Sequence, residues 1–88
     1  MAFGSIIWDL DNDPDGNVRH CAEHGVTKEE VEAVFQNMMD EDVSYSSGRP
    51  VIFGDTFAGR HLMVVYEEID ADTVYPITAY DVPRRKDT

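Results

Sequence analysis

Eighty-eight residues at 10.0 kDa carry 18 Asp and Glu against 7 Lys and Arg, for a net charge of −11 and a pI near 4.3. A chain of this length has room for one domain, which would bury about 64% of the surface its unfolded form exposes. Hydrophobic residues at 42% and charged residues at 28% exclude a largely disordered chain; no apolar run nears the roughly 18 residues of a membrane span, and a lone Cys21 excludes an internal disulfide framework or a Cys-based zinc finger.

The first segment, Phe3 to Trp8, is a short apolar run and reads as a strand. DLDNDPDG follows as turn chemistry, with Asp, Asn, Pro and Gly clustered. Asp13 or Asn12 is positioned to cap a helix with Pro14 near its first turn, running through NVRHCAEHG to a left-handed stop at Gly25. Thr27 with Glu30 three residues on forms a capping box. Val31, Val34, Phe35 and Met38 then fall at helical spacing, predicting an amphipathic helix to about Met39. MDEDVSYSSG reads as a polar connection. Pro50 to Gly54, His61 to Ile69 and Thr73 to Val82 read as strands, with turns at TFAG and Asp70-Ala71-Asp72. Pro76 inside the last segment predicts an edge position, a bulge or a break. The expected order is β-α-α-β-β-β. This is an α+β fold with helices on one face of a contiguous antiparallel sheet, in one domain over 1–88 with 1–2 and 83–88 frayed. The opening residues show no basic n-region, so no secretory signal is visible and a cytoplasmic location is expected.

Four groups of residues invite a chemical reading. Asp11, Asp13, Asp15 and Gly16 match the first half of an EF-hand calcium loop. Its twelfth position, where a bidentate Glu belongs, falls on Ala22. A solvated turn near a helix N-terminus is the plainer reading. His20 and His24 share a helical face at i, i+4 but have no third ligand at metal spacing, so no metal site is assigned and no cofactor is implied. Cys21 between them reads as a small core residue. Trp8, Phe53 and Tyr66 read as core aromatics.

The basic residues are the fourth group. Residues 1–48 hold eleven acids against Arg19 and Lys28, a balance of −9, while residues 49–88 hold seven acids and five bases. Any nucleic-acid chemistry must therefore use a local patch in the second half. Arg49, Arg60 with His61, and Arg84, Arg85 and Lys86 lie at strand starts and ends, where antiparallel neighbours converge. Arginine suits phosphate because its planar fork binds bidentately and keeps its charge. The plainer alternative is that Arg49 and Arg60 neutralise nearby acids.

The succession IIWDLD, Asn17-Val18, EHGVTKEEVEAVF, GRPVIFG, GRHLMVVYEE and VYPITAYDV resembles the BrnT-like toxin family over about Ile7 to Val82. The resemblance implies a RelE-like fold and a metal-independent endoribonuclease acting in a type II toxin–antitoxin pair. It implies a catalytic set of His24, Arg49, Arg60 and Tyr80, with Arg84 and Arg85 as RNA-binding residues. It also implies a cognate antitoxin as partner, RNA as substrate, no membrane association and a possible homo-oligomer. Two departures bear on activity. Glu23 stands where the family usually has Lys, and Tyr80 where its late strand usually has Arg. With a net charge of −11, these favour an alternative: a catalytically silent BrnT-like module that binds a protein partner. Calcium binding through Asp11, Asp13 and Asp15 is a third reading.

Overall fold

A computed structural model describes residues 4–43 and 48–83. The elements are β1 (Ser5–Ile6), α1 (Asn17–Glu23), α2 (Lys28–Gln36), β2 (Met38–Val43), β3 (Pro50–Asp55), β4 (His61–Asp70) and β5 (Thr73–Asp81). They form an α+β fold with one five-stranded sheet in the order β1-β5-β4-β3-β2. The expected fraying at 1–2 and 83–88 lies, apart from Pro83, outside the described residues.

The capping box forms as its spacing requires. Thr27 Oγ1 accepts the Glu30 amide, and Glu30 Oε1 accepts the Thr27 amide. Val31, Val34 and Phe35 on the resulting helix are buried against Ile52, Leu62, Val64, Tyr66, Val74 and Ala79 of the sheet. Gly25 takes the left-handed conformation at φ 73°, which only glycine adopts without strain.

Several expectations need correction. The helix predicted to reach Met39 ends at Gln36, where Asn37 turns the backbone to φ −121° and its side-chain amide donates to the Ala33 carbonyl. MDEDV, read as a connection, is the edge strand β2, antiparallel to β3. Residues 41–43 are exposed, so no apolar alternation marks the segment. Acids on an edge strand are a common device against unwanted pairing. The close approach of α2 to the sheet depends on Gly54, where a Cβ would lie 2.8 Å from the Asn37 carbonyl oxygen.

The sheet is mixed, not purely antiparallel. β1, shorter than predicted, pairs parallel with β5 through Ser5↔Thr73 and Ile6↔Val74. Helix α1 begins at Asn17, behind an N-cap at Gly16 that has no side-chain cap bond, and not at Pro14. Asp13 Oδ1 instead accepts the Asp15 amide in a local turn. Phe53 does not join the core: Ile52 faces it, and strand alternation turns half-buried Phe53 to the opposite face. There it lies 6.4 Å from the His61 ring. Tyr66 is a core residue, edge-on to Phe35 at 5.3 Å. Trp8 packs half-buried against the core, and its indole N–H donates to Glu32 Oε2.

Pro76 lies in β5 between β1 and β4, opposite Tyr66, with a register shift that leaves Ile77 without a partner on β4. A residue's N and C=O point to the same side of a strand. The Pro76 carbonyl accepts from the Asn17 side chain on the β1 side, so the missing N–H also faces that side. The β4 ladder therefore loses no bond.

Candidate functional site

Asn17 is 1% exposed and joins three segments. The Ser5 amide donates to the carbonyl of Asp72, just before β5, and the Ile7 amide to that of Val74 within it. The Asn17 Nδ2 then continues that ladder to the Pro76 carbonyl at 2.8 Å, and it also donates to the Ile7 carbonyl at 3.0 Å. Asn17 Oδ1 accepts the Asp9 amide, while Asp9 Oδ2 accepts both the Asn17 amide and the Tyr75 hydroxyl. Asp9 thus caps α1 from a distance. The Tyr75 hydroxyl and the Asn17 amide hold the Asp9 carboxyl below its ordinary value. The same bond pushes the Tyr75 hydroxyl up to about 12. Trp8, Asp9 and Asn17 each bond other parts of the fold.

The opposite end of β5 holds the chemistry-bearing residues. Arg60, immediately before β4, donates through Nε and Nη2 to the two carboxylate oxygens of Asp81 at 3.0 and 2.9 Å. Its Nη1 donates to the Glu30 carboxylate at 2.8 and 2.9 Å and to the Gly25 carbonyl at 2.9 Å. Every guanidinium nitrogen is engaged. Burial alone would raise the Glu30 carboxyl, but the Thr27 amide and the Arg60 guanidinium outweigh it and hold it low. Arg60 likewise lowers Asp81, and Asp81 and Glu30 push the Arg60 pKa upward. The clamp ties the α1–α2 junction to the α2 N-terminus and to the ends of β4 and β5.

His24 is the C-cap residue of α1 and is exposed. Its ring lies 5.3 Å from that of Tyr80, tilted by 52°. Gly25 and Asp81, the chain neighbours of these two residues, both bind Arg60, which sets His24, Arg60 and Tyr80 at one end of β5, although strand alternation turns the Tyr80 side chain to the face opposite that of Asp81. Arg49 is not among them. It precedes β3, whose far end at Asp55 pairs with His61; six strand residues place it roughly 20 Å from Arg60 at about 3.3 Å per residue. Arg84 and Arg85 lie outside the described residues. Glu23 is exposed at the end of α1, beside His24.

The remaining candidates resolve as follows. Asp11 pairs with Lys28 Nζ at 3.1 Å, and Asp13 holds its own turn. Among the described residues, no three His, Cys, Asp or Glu side chains gather as metal ligands. Cys21 is 1% exposed, and burial pushes its thiol up to about 11, which leaves almost no thiolate at neutral pH. His61 Nδ1 lies 2.9 Å from Asp55 Oδ1, a pair the sequence reading missed. It also missed Asp81, although the signal was present. Counting back along the hairpin from Asp70↔Thr73 reaches Leu62↔Asp81, because the two register shifts between them cancel.

Among the described residues no helix is long and apolar enough to cross a membrane. No family model, curated protein or solved structure matches the chain.

Proposed function

We propose that this chain is a divergent BrnT-like module of the type II toxin–antitoxin kind, with a RelE-like arrangement of its sheet. In this reading its ribonuclease chemistry is silent and it works by binding a protein partner, a cognate antitoxin. The observation that carries this reading is the state of Arg60. A cation that stabilises a phosphorane-like transition state must offer donors to the phosphate. The donors of Arg60 serve Glu30, Asp81 and the Gly25 carbonyl instead. Two carboxylates around one guanidinium leave the cluster with net negative charge, which repels an approaching phosphodiester. With Tyr80 and Glu23 at positions where the family usually has bases, no second cation is supplied from those places. Loss of one charge-stabilising donor typically costs ~3 kcal/mol, or about 10²-fold in rate.

One observation favours the ribonuclease reading: the His24–Tyr80 ring pair, at the same end of β5 as Arg60. There the RNA 2′-OH would attack the adjacent phosphate, with His24 or Tyr80 moving protons and Arg60 facing the developing charge. Incubation of purified protein with labelled RNA in EDTA separates the two. The silent reading predicts no cleavage by folded wild type; cleavage that disappears in both Arg60→Ala and His24→Ala would establish the enzyme.

A further inference from the structure

The two sides of the Arg60 guanidinium are held differently. Nη1 is fixed by the half-buried Glu30 carboxylate, 19% exposed, and by the backbone carbonyl of Gly25. The other edge, Nε with Nη2, faces Asp81, whose side chain is 61% exposed. Asp81 meets that edge with two near-equal N–H···O bonds, 3.0 and 2.9 Å, one to each carboxylate oxygen. This fork-to-fork geometry is the one in which an arginine binds carboxylate or phosphate interchangeably. Glu30 and Gly25 therefore orient a fork whose free edge is filled by an exposed, replaceable acid at the end of a strand.

We propose that the Nε–Nη2 edge of Arg60 is a preformed oxyanion site and that Asp81 is an internal plug occupying the place of a phosphate. This inference rests on the reading of Arg60 as a masked cation and adds what masks it and what it would take. Exposed ion pairs are weak because water competes with both partners, so removing the plug frees the fork without releasing the guanidinium from Glu30.

The test follows the Arg60 Nε–H signal in a proton–nitrogen NMR correlation spectrum while inorganic phosphate is added at constant ionic strength. Wild type and Asp81→Ala are compared. A parallel arm uses a short single-stranded RNA, so that tighter binding of one or the other identifies free phosphate or the phosphodiester backbone as the ligand. The expected result is a saturating shift in Asp81→Ala with a dissociation constant in the millimolar range. Binding should be roughly five- to tenfold tighter than in wild type, the scale of an exposed ion pair. The double variant Asp81→Ala with Arg60→Lys, followed through the backbone amides of Gly25 and position 60 because it has no Nε–H, should show no saturating shift, because an ammonium has no fork. Asp81→Asn, which keeps an acceptor at the strand end but not the charge, is read in the same way if the alanine variant does not fold. A folded plug variant whose Nε–H responds to neither ligand overturns the proposal, as does a wild type that binds as tightly as the variant. RNA cleavage by the wild type would instead overturn the silent reading, and this binding experiment does not depend on that result.

Discussion

Asn17 and Arg60 each gather hydrogen bonds from several segments, one near each end of β5, yet they do opposite things with them. Asn17 is neutral and 1% exposed, and all three of its side-chain bonding partners are backbone groups. Those partners cannot leave without unravelling the join between β1, α1 and β5. The Arg60 side chain is charged and 31% exposed, and one of its partners, Asp81, lies mostly in solvent. A buried neutral hub specifies a fold; a half-exposed ionic hub with one replaceable ligand can also take part in binding. The difference explains why residues that look equally distinctive in the sequence divide into structural and functional candidates.

The largest effect expected from this contrast is on Asn17. Asn17→Ala strands the Asp9 amide and the Ile7 and Pro76 carbonyls, so chemical denaturation should show a loss of about 3 kcal/mol or more. A loss below about 1 kcal/mol would mean that water substitutes for the side chain and that the hub is not structural.

Arg60→Ala should cost less, about 1–2 kcal/mol, because solvent screens much of the ionic gain and can rehydrate Asp81. Salt sharpens the contrast. Raising ionic strength should shrink the cost of Arg60→Ala while leaving that of Asn17→Ala nearly unchanged. Equal sensitivity of both would break the distinction.

Acid probes both hubs together. Asp9, Glu30 and Asp81 are all held below their ordinary values of 3.8, 4.5 and 3.8. Groups whose folded pKa is depressed stabilise the fold above the unfolded pKa, and that contribution is lost as pH falls through the folded value. Stability should therefore be level above about pH 5 and decline below about pH 4. Asp81→Ala should flatten part of that limb in an acid titration followed by circular dichroism. An unchanged acid limb would show that Asp81 is not coupled to folding.

The smallest change is a chemical one. Cys21, with its thiol raised to about 11, should not react with a disulfide reagent at neutral pH in the folded protein and should react fully after denaturation. Rapid labelling of the native state would show that α1 opens away from β5.

The parts of the fold that were legible were those with a local cause. Thr27 and Glu30 announce the α2 cap at fixed spacing, Gly25 announces the left-handed stop, and the apolar strands β3 to β5 announce themselves by composition. What was not legible depended on distant partners. β2 looks like a connection because an edge strand of Asp and Glu carries no apolar pattern. The cap of α1 comes from Asp9, eight residues upstream, so local rules placed it on Asn12 or Asp13 instead. Pro76 is tolerated within the strand because Asn17 replaces a missing strand neighbour, which no local signal encodes. At the candidate site, hairpin topology was enough to bring Arg60 toward the end of β5. Whether its partner there would be a phosphate or an acid depended on one residue, Asp81, which the reading passed over.

The measurement closest to the central claim is rotation about the Arg60 guanidinium bonds, followed by NMR in the absence of any ligand. With Nη1 held by Glu30 and Gly25 and Nη2 held by Asp81, the account predicts separate, slowly exchanging Nη1 and Nη2 signals and an Nε–H protected from solvent. A single averaged signal with rapid exchange, as for an arginine free in water, would contradict it and return Arg60 to the set of cations open to RNA.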